Sequence, residues 1–194
     1  MEMEIEDSSL EGVPVLLGVT GGIACCKAAD LVSRLVKLGA AVDVVMTPAA
    51  THFASPLTFQ TLARRTAHVD LWRESPNDPG HIALAQRPRI AVVAPLTANT
   101  LAKMAHGLAD NLLTSTLLAC RAPLLLAPAM NTAMWEHPAT QSNLAILLGR
   151  GARTVGPVSG RLACGATGPG RMAEPSDIVA ALLDMLGVPA PQTP

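Results

Sequence analysis

The sequence predicts an α/β protein, a parallel sheet covered by helices on both faces, and three observations carry that expectation. Strand-length apolar runs recur without polar alternation, at Val13 to Val19, Ala41 to Met46, Ile90 to Ala94 and Leu124 to Ala127. A strand buried on both faces reads that way. Helical patterns separate the runs, the alternation that crossover connections between parallel strands require. At 194 residues the chain suits one domain, 1–194, with its core at about 13–186 and flexible termini.

Taken in order, the first run ends in Thr20-Gly21-Gly22. Leu31, Val32, Leu35, Val36 and Leu38 then recur at helical spacing, with Gly39 placed as the C′ residue. The second run closes on Thr47-Pro48, an N-cap followed by proline at the first helical position. Ser55-Pro56 repeats that signal before Leu57 to Ala63. The polar, proline-rich stretch from Arg73 to Gly80 should be loop. Ile90 to Ala94 is broken by Pro95, and helical pattern resumes from Leu101 and again from Leu112 to Ala119. Pro128 stops the fourth run. Ala139 to Leu148 is helical, Arg153 to Val155 is expected as a short strand, and Ser176 is placed to cap a last helix to Leu186. Gly156 to Pro175 is rich in glycine and proline and lacks periodicity, so it should be a functional loop.

Composition removes several classes of function. Net charge is −1 and no basic run stands out, against a grip on nucleic acid that works by neutralising phosphates. Aromatic residues are 2% and tyrosine is absent, so platforms for stacked bases are not expected either. Met1 to Glu11 is acidic, with neither the basic start nor the apolar core of a signal peptide. The apolar runs are far too short for a membrane span. Cys25, Cys26, Cys120 and Cys164 form no CxxC pair with histidine partners, which suggests neither a zinc site nor a disulfide framework. A reduced, cytoplasmic protein is expected, bound to neither nucleic acid nor membrane.

In a doubly wound sheet, ligands bind beyond the carboxyl ends of the strands. The segments leaving those ends are Thr20-Gly21-Gly22, Thr47-Pro48, Pro95 to Thr100 and Pro128 to Asn131, which predicts one site built from four loops. Gly21-Gly22 would let backbone approach a ligand closely, beside free N–H groups at a helix start, though a tight turn alone would look the same. Thr97, Asn99 and Thr100 could hold a phosphate or the edge of a heterocycle, or one of them could merely cap a helix. The Asn131 amide could hold a carboxylate without adding positive charge; asparagine is also common in turns. His81, at a loop–helix junction, could be a base, a binding group or a structural histidine. His52, His68, His106 and His137 are read as structural. Cys164, in a glycine-rich segment, could reach over a pocket as a proton donor, with Arg171 meeting an anion. Cys25, Cys26 and Cys120 fall in helical patterns and should pack as small apolar residues.

Five motifs in order give these candidates a common meaning: Gly-Gly-Ile-Ala-x-x-Lys from Gly21 to Lys27; Gly80-His81-Ile82; Ala94 to Thr100; Pro128-Ala129-Met130-Asn131, continuing to Pro138; and Ala163-Cys164-Gly165 followed by Gly170-Arg171-Met172. Over about residues 13 to 186 the chain resembles the flavin-containing cysteine decarboxylases. That resemblance implies a flavodoxin-like (Rossmann-like) doubly wound fold, bound FMN, no metal, and homo-oligomers, either trimers or dodecamers of trimers, with active sites between subunits. It implies FMN contacts at Gly22, Phe53, Thr97, Ala98, Asn99, Thr100 and Ala129. Catalytic roles fall to His81, Asn131 and Cys164, and substrate contacts to Asn131, Met134 and Arg171.

The activity implied is oxidative decarboxylation of the cysteine moiety of 4'-phosphopantothenoylcysteine to 4'-phosphopantetheine, in coenzyme A biosynthesis. A cysteine carboxylate loses CO₂ with difficulty because the resulting carbanion has no electron sink. Oxidising the thiol to a thioaldehyde supplies that sink, and decarboxylation then leaves an enethiolate to be reduced and protonated. His81 would position groups or act as base, Asn131 would bind the carboxylate, and Cys164 would give the final proton. One departure bears on substrate: the family often has an aspartate after the Cys-Gly pair, where this chain has Ala166. Two other readings are a decarboxylase of a C-terminal cysteine on a ribosomal peptide, and a non-catalytic regulatory relative.

Overall fold

Six segments pair side by side in the order β3-β2-β1-β4-β5-β6, every neighbouring pair parallel. They are β1 (Pro14–Val19), β2 (Ala41–Met46), β3 (Ala67–His68), β4 (Ile90–Leu96), β5 (Leu124–Pro128) and β6 (Arg153–Thr154). The computed structural model describes residues 9–72, 80–161, 165 and 167–189. The chain winds outward from β1 through β2 to β3, then returns to place β4 on the other side of β1. The order reverses between β1 and β4, where a crevice opens beyond the carboxyl ends of the strands.

Alternate strand residues face opposite helical layers, as the two-residue period of a strand dictates. Val15, Leu17, Val19, Val42, Val44 and Val92 face one core. That core is closed by α1 (Cys25–Lys37), α2 (Pro56–Ala63) and α8 (Pro175–Leu186) through Ala28, Leu31, Val32, Leu35, Phe59, Ile178 and Leu182. Leu16, Val45, Ala91 and Val93 face the other way, toward α3 (Gly80–Gln86), α4 (Ala98–His106), α5 (Leu112–Ala119) and α7 (Pro138–Gly149). Each fully buried side chain of the Leu or Phe class contributes about 1.5–3 kcal/mol over leaving it in water. The all-apolar strands are therefore stable only as the middle of this sandwich. No described helix is long and apolar enough to cross a membrane.

Caps behave as their chemistry requires. Thr47 accepts from the Ala50 N–H at 3.3 Å to start a 3₁₀ turn over Pro48–His52, and Ser55 accepts from the Leu57 N–H at 3.2 Å to start α2. Gly39 takes a positive φ of 89° beyond the end of α1, the C′ geometry expected of it.

Several boundaries differ from the sequence reading. β4 runs through Pro95 to Leu96 because its pairing with β5 is irregular between Val93 and Leu96, a place where a missing N–H is tolerated. α4 begins at Ala98, not Leu101, since Thr97 accepts from the Thr100 N–H at 3.4 Å as its cap. α8 begins at Pro175 with Glu174 in the cap position, so Ser176 is not the cap. Two short elements, β3 and α6 (Thr132–Glu136), were not anticipated. The segment expected to be all loop carries an antiparallel pair, β7 (Val158–Arg161) and β8 (Thr167–Arg171), apart from the main sheet. Of the stretch expected as loop from Arg73, residues 73–79 lie outside the described residues, and Gly80 opens α3.

Candidate cofactor and substrate site

The loops leaving β1, β2, β4 and β5 converge at the crevice, and specific bonds hold them. The buried Thr20 hydroxyl donates to the Pro95 carbonyl at 2.6 Å and accepts from the Thr97 N–H at 3.0 Å, tying the β1 loop to the start of α4. Gly21 lies so close to the β2 loop that a Cβ there would stand 2.6 Å from Ala49 Cβ and 2.8 Å from its carbonyl carbon. Only glycine allows this approach. The β5 loop is clasped by the hairpin: the Met130 N–H donates to the Gly170 carbonyl at 2.9 Å, and a Cβ on Gly170 would meet the Met130 oxygen. Asn131 Oδ1 accepts from the Ala133 N–H at 2.8 Å as the cap of α6, which makes the Nδ2 group the donating end of that amide.

Two cavities meet there. The first, of about 450 Å³, is lined by Gly21 to Ala24, Cys26 and Lys27 and by Thr97, Ala98, Ala129, Met130, Asn131 and Met134. Arg161, Gly170, Arg171 and Met172 of the hairpin segment complete it. The second, of about 530 Å³, is lined by Thr47, Pro48, Ala49, Asn99, Thr100, Lys103, Asp110 and Asn111. Gly21, Thr97, Ala98 and Met134 line both. Each is of the size of a small-molecule site. A further hollow of about 510 Å³, around Cys120 and Leu147 near the amino end of β5, receives none of these loops.

The first cavity is cationic. Among the described residues, Lys27, Arg161 and Arg171 line it and no Asp or Glu does. Glu174 stands beside it and holds two of the three: Lys27 Nζ donates to Glu174 Oε1 at 2.8 Å and Arg171 Nη2 to the same oxygen at 2.5 Å. The Lys27 hydrogen bond, with Arg171 adding to it, keeps the Glu174 carboxyl below the usual carboxylate range. In the second cavity Lys103 donates to Asp110 at 2.5 Å and lowers that carboxyl in the same way.

The cysteines divide. Cys25 is buried and its thiol, pushed up by burial, donates to the Thr20 carbonyl at 3.3 Å. Cys120 is half-buried, and burial pushes its thiol up too. Cys26 departs from the expected packing role: it is exposed and lines the first cavity.

Of the residues singled out from sequence, Gly22, Thr97, Ala98, Ala129, Asn131, Met134 and Arg171 come together in the first cavity. Asn99 and Thr100 join Thr97, Ala98 and Met134 in the second. Phe53, 52% exposed after the 3₁₀ turn, and His81, half-buried in the first turn of α3, line neither. Cys164 and Ala166 lie outside the described residues. The sequence reading gave Cys26 only a packing role and assigned none to Lys27, Arg161, Asn111 or Glu174. Lys27 was visible as the last residue of a quoted motif, but nothing local marks it as facing a cavity.

Comparison with known proteins gives consistent results. The model of the Flavoprotein family matches residues 3–187. The chain is 45% identical over 175 residues to a probable phosphopantothenoylcysteine decarboxylase of Streptococcus mutans, covering 89% of this chain and 98% of that protein. It is 48% identical over 166 residues to the bifunctional coenzyme A biosynthesis protein CoaBC of Bacillus subtilis, but spans only 41% of that relative's length. Among solved structures, a PPC decarboxylase variant complexed with pantothenoylaminoethenethiol superposes with a TM-score of 0.81 at 36% identity, covering 91% of this chain and 100% of that one. The FMN-dependent cysteine decarboxylase SpaF superposes with a TM-score of 0.74 at 30% identity, covering 88% and 97%.

Proposed function

The chain belongs to the flavoprotein family, and on that premise we propose that it is an FMN enzyme that decarboxylates the cysteine moiety of 4'-phosphopantothenoylcysteine to give 4'-phosphopantetheine. The observation that carries this reading is the pair of adjoining cavities at the topological switch point, one with the open end of α4 and one with Asn131 and three cations. Two molecules of this size need two such spaces with a shared wall.

The residues present fit the cofactor. Thr97 to Thr100 supply hydroxyls, an amide and backbone N–H groups at a helix start, a natural seat for a phosphate. The close approach of Gly21 to Ala49 holds the β1 and β2 loops together beside that seat. Gly22, Thr97, Ala98, Asn99, Thr100 and Ala129 would hold FMN from one protomer. Bound there, FMN supplies the two-electron oxidation of the substrate thiol and returns those electrons at the end.

The chain's own residues do the rest. Asn131 receives the substrate carboxylate through Nδ2, its oxygen being engaged at the cap of α6. An uncharged donor orients the carboxylate without stabilising its charge more than that of the transition state, so the loss of CO₂ is not slowed. The largely apolar wall around Ala129, Met130 and Met134 keeps water from the carbanion-like product. Met134 contacts the substrate and Cys164 delivers the proton that completes the saturated thiol.

Phe53 and His81 lie away from the cavity of their own protomer. That placement supports a homotrimer, or a dodecamer built from trimers, in which they complete a neighbour's site as FMN contact and catalytic histidine. The compartment proposed is the cytoplasm. The test is to purify the protein, look for flavin absorbance, supply 4'-phosphopantothenoylcysteine and measure CO₂ and 4'-phosphopantetheine. A colourless protein that cannot be reconstituted with FMN overturns the proposal. Cys164→Ser should release CO₂ yet accumulate the oxidised enethiol; full reduction by that variant would remove Cys164 from the proton-donor role.

A further inference from the structure

The cationic lining of the first cavity is more than the proposed decarboxylation requires. A cation clamped on the departing carboxylate would stabilise the ground state more than the transition state and slow the loss of CO₂. Asn131 is already assigned to the carboxylate in the same cavity, as a neutral donor. The cations therefore belong to an anionic group of the substrate that does not react.

Lys27 and Arg171 are built for that task as a unit. They come from α1 and β8, 144 residues apart, and meet on one oxygen, Glu174 Oε1. Lys27 Nζ also donates to the Met172 carbonyl at 3.1 Å, which fixes its direction along the hairpin. Glu174 occupies the cap position of α8 but makes no side-chain cap bond there, and Pro175 removes one N–H that would otherwise call for a cap. The trio carries a net charge of +1. Lys27 has a third N–H, and the Arg171 guanidinium has further donors not spent on Glu174. Glu174 remains ionised below the usual carboxylate range because Lys27 donates to it, so the bridge is intact at neutral pH.

We infer that Lys27 and Arg171, bridged by Glu174, form a subsite for the substrate's phosphate, and that this subsite selects a phosphorylated small molecule over an unphosphorylated one or a peptide end. The inference rests on the proposed decarboxylation and names the residues that set its substrate class. Glu174 is a positioning residue: it touches the two cations, not the phosphate, and keeps them close in the absence of ligand.

The experiment compares 4'-phosphopantothenoylcysteine with pantothenoylcysteine as substrates of the FMN-loaded wild type, Lys27→Met, Arg171→Met and Arg171→Lys. Bound FMN per chain is measured in each. The wild type should prefer the phosphorylated substrate by about tenfold or more in kcat/KM, the size of one charge-assisted hydrogen bond. That ratio should fall to within about twofold in both methionine variants, mainly through KM, and recover in part in Arg171→Lys. A parallel titration of holoprotein with 4'-phosphopantetheine and with pantetheine, followed by the flavin spectrum, gives the same comparison without turnover. If both substrates weaken in proportion, the cations serve another group and the inference falls. If FMN is lost from Lys27→Met and Arg171→Met while riboflavin binds them as well as it binds wild type, the pair holds the cofactor's phosphate and the inference falls. A wild type that releases CO₂ from neither substrate overturns the decarboxylase reading itself, and this inference with it.

Discussion

Thr20 and Thr97 are joined where the sheet order reverses: the Thr97 N–H donates to the Thr20 hydroxyl at 3.0 Å, and that hydroxyl in turn donates to the Pro95 carbonyl at 2.6 Å. Thr20 is fully buried. One side chain therefore fixes the spacing between the glycine loop and the start of α4. Thr20→Val keeps the shape but leaves a buried N–H and a carbonyl without their partner. It should destabilise the apoprotein by about 2 kcal/mol and weaken FMN binding by about tenfold or more, while Thr20→Ser retains most of both. Urea unfolding and an FMN titration check this. A valine variant that binds FMN like wild type would show that the loops find their spacing without the bond.

Much of that junction is legible in the sequence, and the reason is local. Apolar runs that end abruptly in Thr, Gly or Asn mark the carboxyl ends of strands, so the sequence alone puts Thr20 to Gly22, Thr97 to Thr100 and Asn131 at one edge. Lys27 and Glu174 were not, because their meaning lies in a contact spanning 147 residues that no periodicity encodes. The β7–β8 hairpin was missed for a related reason. Its glycines and prolines have low strand propensity, and its seat is tertiary, made by the Met130–Gly170 bond and by Gly168, where a Cβ would stand 2.6 Å from Thr132 Oγ1. Phe53 rests on motif resemblance alone, and the position of His81 leaves its role open until the resemblance assigns one; neither lines the two cavities.

Asn131 offers a cleaner substitution than its position in a loop would suggest. Its oxygen caps α6, a duty that aspartate performs as well as asparagine. Asn131→Asp therefore keeps the local fold and changes only the donating end into a second acceptor, which repels a substrate carboxylate. Flavin content and thermal stability should remain near wild type while turnover drops by about a thousandfold or more, a loss of roughly 4 kcal/mol. Normal turnover would remove Asn131 from the carboxylate site, whereas loss of flavin would place the amide on the cofactor.

Exposed thiols separate by geometry. Cys26 opens onto the first cavity, whereas Cys25 is buried with a thiol pushed up by desolvation, which lowers its thiolate fraction. Brief alkylation of the apoprotein at pH of about 8 should label Cys26 well before Cys25, as read by peptide mass spectrometry. Added FMN should slow labelling of Cys26. Equal labelling of the two would mean that α1 opens readily, and labelling indifferent to FMN would move the cofactor away from the start of that helix.

The Glu174 bridge makes a statement about pH. Its carboxyl is held below the usual range first by the Lys27 hydrogen bond, so the folded chain binds that proton less readily than the unfolded chain does. By linkage the stabilisation is fully present above the ordinary carboxylate pKa and is lost as pH falls through the depressed folded value. Glu174→Gln should therefore be less stable than wild type at neutral pH, and the gap should narrow only as pH falls below the ordinary range. The bridge is partly exposed, so added salt should also shrink the gap. Unfolding midpoints of the two proteins across an acid series test this. A gap that stays constant to the lowest pH would mean that the difference comes from packing of the side chain and not from its charge.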